Sequence, residues 1–319
     1  MANLDQKQPN RETSVLVVSN VTVDETYSVG SIPLPGQSLI GQFRSRSVGG
    51  KGANVATILS RAGIDTHLVA GIGTDERSAF VRSELKVETL NLMLQSNTDW
   101  PTDVSIIYTD VHGENSIATT VSSTQSIDLS KPIQFLDVMQ TSGWLVLQGN
   151  LTRAMTESLM QAAIALEHRI VFNPSPCAGW MKEVLDLADV IVMNSQEAHT
   201  LTGSNDELAV TQLLQNRTWQ VALTRGAQGA TLATRTDDGL NTTPVLTFHD
   251  AVDTTVVDTT GAGDTWLATA LASAIKRNTW LDELALQHAA NAAAITVGQF
   301  GTRQAFPDRP TMEFLLSDK

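Results

Sequence analysis

Apolar positions along the chain alternate between two spacings. Continuous runs occur at Val15-Leu16-Val17-Val18, Trp144-Leu145-Val146-Leu147, Ile170-Val171-Phe172, Val190-Ile191-Val192-Met193 and Val221-Ala222-Leu223. A run apolar on both faces is the pattern of a strand buried on both sides. Between the runs, apolar residues recur at helical spacing over 155–167, 179–187 and 196–202, the last stopped by Gly203. Behind Gly52, Val55, Ile58, Leu59 and Ala62 repeat likewise, with Gly63 as the stop. The last third is helical in pattern over 266–276, 281–297 and 311–317. Strand alternating with helix predicts an α/β fold: a central, mostly parallel sheet with helices on both faces.

Two stretches break this rhythm. Residues 27–47 read as short extended pieces around Pro33 and Pro35-Gly36, with Phe43-Arg44-Ser45-Arg46 in alternation. Residues 104–121 place two β-rich arms around the hairpin signal His112-Gly113-Glu114. Neither is followed by a helix, so together they predict a small β-sheet lid. Its apolar face needs a cover, from a ligand, a second subunit or both. The expected organisation is a main α/β domain of 14–26, 48–103 and 122–319, a lid of 27–47 and 104–121, and a loose arm of 1–13. After Arg225-Gly226-Ala227-Gln228-Gly229, extended pieces running to Val257 predict an antiparallel edge.

The chain has 319 residues, enough for a full core, and a net charge of −13 from 21 basic and 34 acidic residues. No basic cluster stands out, which argues against nucleic-acid and anionic-membrane binding. The single cysteine, Cys177, cannot form an internal disulfide. With a polar start and no apolar run of membrane-spanning length, the expectation is a cytoplasmic protein.

The chemistry concentrates at expected strand ends, where open α/β sheets bind ligands. Thr254-Thr255-Val256-Val257 reads as a strand leading through Gly261-Ala262-Gly263 into a helix. Glycines there let backbone amides press against an anion at the positive end of the helix. Asp264 in the first turn is then placed to take a proton from an attacking hydroxyl, although an acidic first turn is also a plain dipole effect. In Gly49-Gly50-Lys51-Gly52-Ala53-Asn54, Lys51 and Asn54 can donate hydrogen bonds; a Gly-rich turn with a solvated lysine is the other reading. The spacing is not that of a Walker A loop. Gly71-Ile72-Gly73 fails as a dinucleotide motif because Glu76 stands where the third glycine belongs, so it reads as a turn. Asn20, Thr22 and Asp24 follow the first run, Asn194 to Glu197 the fourth, and Thr224 to Gly226 the fifth.

Taken in order, Gly49 to Asn54, Asn194-Ser195-Gln196-Glu197, Thr224-Arg225-Gly226 and Asp258-Thr259-Thr260-Gly261-Ala262-Gly263-Asp264 resemble the signatures of the ribokinase-like carbohydrate kinases. The resemblance covers about 15 to 307, and Pro33-Leu34-Pro35-Gly36 is most similar to the ribokinase branch. It implies ATP-dependent phosphorylation of a sugar hydroxyl, ribose or a related pentose. Asp264 would be the base and Gly261, Ala262 and Gly263 the anion hole. Asn194 and Glu197 would place Mg²⁺ through water; Thr224, Gly226, Gly229 and Asn291 would line the nucleotide; Asp258 and Thr260 would hold K⁺. Asp24, Gly50, Lys51 and Asn54 would bind sugar hydroxyls. Two positions depart from the ribokinase pattern: Thr22 stands where it has Asn, and Asn150 where it has Glu. The small sheet predicts a homodimer. A kinase for fructose, a sugar acid or a nucleoside, and a sensor without turnover, are the competing readings. Retention of Asp264 counts against the sensor, and the failed glycine motif against an NAD-dependent oxidoreductase.

Overall fold

The first apolar run forms β1 (Ser14–Val18), buried at every position. In a computed structural model, residues 13–111, 115–130, 133–214, 217–236 and 243–317 are described. Next come β2 (Thr22–Ser28), β3 (Gln42–Gly49), α1 (Lys51–Arg61), β4 (Asp65–Ile72), α2 (Glu76–Leu85), β5 (Asn91–Ser96), β6 (Val104–Thr109) and β7 (Asn115–Thr119). The middle of the chain runs α3 (Ile133–Thr141), β8 (Trp144–Gln148), α4 (Arg153–Ala165), β9 (Arg169–Asn173), β10 (Val190–Asn194), α5 (Ser195–Thr202), α6 (Glu207–Gln212) and β11 (Gln220–Thr224). β12 (Ala230–Thr234), β13 (Val245–His249), α7 (Ala262–Arg277), α8 (Glu283–Val297) and α9 (Arg309–Leu315) complete it. The expected arm, but for Thr13, and the hairpin signal His112-Gly113-Glu114 lie outside the described residues.

The larger sheet has the order β13-β12-β11-β10-β9-β8-β1-β4-β5. Every pairing from β11 across to β5 is parallel, and β12 and β13 add the expected antiparallel edge. Successive side chains of a strand point to opposite faces. Val15 and Val17 accordingly join a core layer with α1, α7 and α8, and Leu16 and Val18 one with α4. Burying a Leu or Ile fully contributes about 1.5–3 kcal/mol, so these layers hold the fold and leave room for unfavourable buried charge at the site. Among the described residues no helix is long and apolar enough to cross a membrane.

The smaller sheet has the order β3-β2-β6-β7, with β2 and β6 parallel and the other pairs antiparallel. It reaches beyond the expected 27–47, beginning at Thr22 and ending at Gly49. Thr22 and Asp24 therefore sit on β2 of this sheet, not at the end of β1, because β1 stops at Val18. The alternation expected through Phe43 to Arg46 is broken by a bulge: Tyr27 pairs with Phe43 and Thr26 with Ser45, leaving Arg44 over. Gly71 and Gly73 also find their reason here. A Cβ on Gly71 would lie 1.9 Å from the Ser123 carbonyl oxygen, and one on Gly73 2.5 Å from the Thr102 amide nitrogen. The two glycines let both connections to β6 and β7 cross close over β4.

Two other expectations are corrected. Residues 250–260 form no strand. Val256 and Val257 are 61% and 53% exposed, and the amides of Val257 and Asp258 donate to the Val297 carbonyl at the end of α8, at 2.7 and 3.2 Å. A helix end satisfies them in place of a sheet neighbour. Residues 179–187 form two short 3₁₀ turns, Gly179–Glu183 and Leu185–Leu187, rather than one helix.

Candidate functional site

α7 begins at a residue only glycine suits. Gly261, its N-cap, has φ +78°, and a Cβ there would fall 2.6 Å from the Phe306 ring. Gly263 meets nothing within 4 Å. Asp264 follows, 5% exposed. Its Oδ2 accepts from Asn54 Nδ2 at 2.8 Å, and Lys51 Nζ stands 3.7 Å from Oδ1. Both partners come from the first turns of α1, so two helix N-termini meet at this carboxylate.

The glycines around the start of α1 serve close packing within the chain. Cβ atoms on Gly49, Gly50 and Gly52 would lie 1.9 Å from Asp24 Oδ2, 2.9 Å from the Thr22 amide nitrogen and 2.5 Å from Ser19 Cβ, respectively. Their absence lets the β1–β2 connection pass under α1 and brings Asp24 to the cluster. Asp24, 6% exposed, accepts from Thr22 Oγ1 at 2.6 Å. Behind it Thr119 donates to Ser105 at 3.1 Å and Ser105 to Thr22 at 3.3 Å, a hydroxyl chain crossing the small sheet. Burial pushes the Asp24 carboxyl above its usual range, hydrogen bonds from Thr22 and Ser105 oppose the rise, and the Asp264 carboxylate adds to it.

On the other side of α7 lies a cavity of about 420 Å³. Thr224, Gly226 and Gly229 border it at one end, Ala262 and Gly263 at another, and Leu286, Ala290 and Ala294 of α8 form an apolar wall. The size and the apolar walls with few polar groups suit a small organic ligand. Gly229 is also needed for packing, since a Cβ would lie 2.1 Å from the His249 carbonyl oxygen. Asn291, part-buried on α8, is not in the lining. The lining includes His249, Val252 and Asp253, which sequence reasoning missed. Their segment carries no glycine signature, only β-branched and polar residues that read as strand.

The other candidates make mostly local contacts. Asn194 and Glu197 form a reciprocal capping box on α5: Asn194 Oδ1 accepts from the Glu197 amide at 2.9 Å and Glu197 Oε2 from the Asn194 amide at 2.8 Å. Asp258 takes the amides of Thr260 at 2.9 Å and Gly301 at 3.1 Å, pinning the turn before α7. Asn150, 4% exposed, has a buried Oδ1 with no hydrogen-bond partner among the described residues. Such an orphaned acceptor calls for a ligand or a water. Among the described residues no group of three His, Cys, Asp or Glu is placed to hold a metal ion.

The first turn of α7 thus separates two compartments. Gly263 borders the cavity, and Asp264 meets Lys51, Asn54 and the neighbourhood of Asp24.

Residues 12–309 match the pfkB family carbohydrate kinase. Ribokinase of Bacillus subtilis is 26% identical over 307 residues, covering 95% of this chain and 99% of its own. A bifunctional ribokinase/ribose-5-phosphate isomerase A of Fructilactobacillus sanfranciscensis is 29% identical over 309 residues; the match covers 92% of this chain, which spans about half, 54%, of that protein. Among solved structures, ribokinase from Giardia lamblia superposes with TM-score 0.84 at 21% identity, over 95% of this chain and 98% of its own. Arabidopsis thaliana ribokinase, complexed with ribose and ATP, gives 0.82 at 22%, over 96% and 99%. These two share the fold described above. With the family pattern running through nearly its whole length, the chain belongs to the pfkB family of carbohydrate kinases.

Proposed function

We propose that this kinase transfers the γ-phosphoryl group of ATP to a hydroxyl of a small polyol, with ribose or a related pentose as the leading substrate. The observation that carries this reading is the placement of the α7 first turn between the cavity and the Asp24–Asp264 cluster. A nucleotide in the cavity would direct its terminal phosphate at the amides of Gly261, Ala262 and Gly263. A polyol between Asp24, Lys51, Asn54 and Asp264 would meet it from the opposite side. Asp264 takes the proton of the acceptor hydroxyl, that oxygen bonds the γ-phosphorus, and the bond to the bridging oxygen breaks to release ADP. The amides oppose the charge on the transferring group, where most of the acceleration arises. Ribose and ATP bound to the Arabidopsis relative support both ligands.

The acceptor side suits several hydroxyls more than a base or an apolar group. It offers Asp24 as acceptor and Lys51 as donor, and the orphaned Asn150 Oδ1 would be a further acceptor. Mg²⁺ would neutralise phosphate charge and keeps most of its own waters. Glu197 fits an outer contact through water, since its cap uses only Oε2. K⁺ at Asp258 and Thr260 would share a carboxylate already taking two amides. Exposed Phe43 and Ile117, 55% and 51%, support a homodimer through the small sheet.

The test is ADP release with ribose, deoxyribose, fructose, sugar acids and nucleosides, with and without K⁺, for wild type and Asp264→Asn. One sugar giving turnover that the substitution abolishes, with ATP binding kept, is the expected result. Binding of sugar and ATP without turnover of any compound would replace this reading with a sensor.

A further inference from the structure

Arg61 ends α1, the helix whose first turns supply Lys51 and Asn54. At 1.5 Å per residue it lies about 15 Å from Lys51 and about 10 Å from Asn54 along the helix axis, yet its side chain is only 17% exposed. Its Nη1 donates to three backbone carbonyls of one turn, those of Arg303 at 3.3 Å, Phe306 at 3.2 Å and Pro307 at 3.4 Å. Nε and Nη2 bind the Glu88 carboxylate at 3.2 and 2.7 Å. Arg303 of the same turn also binds Glu88, and its Nη2 reaches the Glu84 carbonyl at 2.6 Å. Burial pushes the Glu88 carboxyl up, and Arg61 and Arg303 together bring it below its usual range.

The held turn has one buried aromatic residue, Phe306, 4% exposed. Its ring stands where a Cβ of Gly261 would be, with Thr302 Cγ2 beside it. Phe306 is also among the residues bordering a second cavity of about 390 Å³, with Arg61, Glu88 and Arg303.

We infer that Arg61 is a positioning residue for phosphoryl transfer, holding the 303–307 turn so that Phe306 braces Gly261 and aligns the amides at the start of α7. The inference rests on the proposed role of those amides. Arg61 touches no reactant; its Nη1 faces the three carbonyls while Nε and Nη2 hold Glu88, and the single ammonium of a lysine cannot serve both sides in that geometry.

Two variants test it. Arg61→Lys keeps a cation beside Glu88 but loses the fork, and Phe306→Leu leaves every ion pair in place. Each is expected to lower kcat about tenfold while KM for sugar and for ATP changes less than about threefold, the signature of an interaction felt only in the transition state. Amide hydrogen exchange over 261–265 should quicken about tenfold, with α4 unchanged. The double variant should fall little below the worse single one, because both act through one contact. Folded variants with kcat within about twofold of wild type, or a loss confined to KM, would overturn the inference. If Arg61→Lys does not fold, Phe306→Leu decides by the same criteria. If the wild type turns over no sugar, the kinase chemistry proposed above falls separately, and exchange decides the brace: faster exchange in Phe306→Leu supports it and unchanged exchange overturns it.

Discussion

Thr22 donates its hydroxyl to Asp24 Oδ1 across 2.6 Å. The residue that departs from the ribokinase pattern thus directs its proton to a neighbouring carboxylate, and Ser105 supplies the next link. In the proposed function Thr22 would act on the acceptor site through Asp24.

Thr22→Val keeps the shape and removes the donor. The Thr22 hydrogen bond opposes the rise of the Asp24 carboxyl, so its loss lets that carboxyl titrate at higher pH. The acidic limb of kcat/KM for the sugar should move to higher pH, and KM at neutral pH should rise about tenfold. A pH–rate profile of the two proteins checks this; superimposed acidic limbs would contradict it.

Asp24→Asn should trade activity for stability. A carboxyl whose folded-state pKa is raised favours the folded state below its unfolded pKa, and that contribution is lost as pH rises through the folded value. Above that value the charged Asp24 is a liability that the amide lacks. The variant should therefore melt higher than wild type there, with the gain vanishing in acid, while sugar-dependent turnover is lost. Melting curves from pH 3 to 8 measure it.

Asp264→Asn retains volume and a hydrogen-bonding group beside Asn54 and Lys51 but cannot accept the proton. We expect kcat to fall by about 10²–10⁴-fold with ATP affinity within about threefold. Calorimetric titration of ATP alongside the rate assay separates the two; equal losses in both would place Asp264 in binding instead.

The two glycines at the start of α7 should respond differently to alanine. Gly261 has positive φ and the Phe306 ring at contact, so Gly261→Ala should destabilise the protein by about 1–3 kcal/mol. A methyl on Gly263 meets nothing within 4 Å, yet the residue borders the cavity. Gly263→Ala should melt like wild type and raise KM for ATP. Thermal melts and ATP kinetics on both variants check the contrast.

The parallel strands β1 and β8 to β11 are legible in the sequence because burial on both faces makes them continuously apolar. β5 is not: Asn91-Leu92-Met93-Leu94-Gln95-Ser96 is a part-exposed edge strand whose short apolar core is framed by polar residues. The helix α2 lacks an apolar stripe, and its clearest signal is the Asp75 cap on the Ser78 amide. Thr254 to Val257 carries strand chemistry without a strand neighbour, so local propensity points the wrong way. At the site, the meeting of Asp264 with Asn54 and Lys51 joins residues about two hundred positions apart; only the motifs point to it. The start of the small sheet is hidden because Ser19-Asn20-Val21 carries neither proline nor glycine to mark the crossing from one sheet to the other.

That crossing places Asp24 and Thr22 on one folded layer and Asp264 with its glycine turn on another. On the proposed function, part of the choice of acceptor is in this way inheritable separately from the transfer of the phosphoryl group. Drift in β2, β3, β6 and β7 would then retune which polyol is taken while α7 keeps its reaction, and a small sheet grafted from a relative of different taste would carry part of that preference with it.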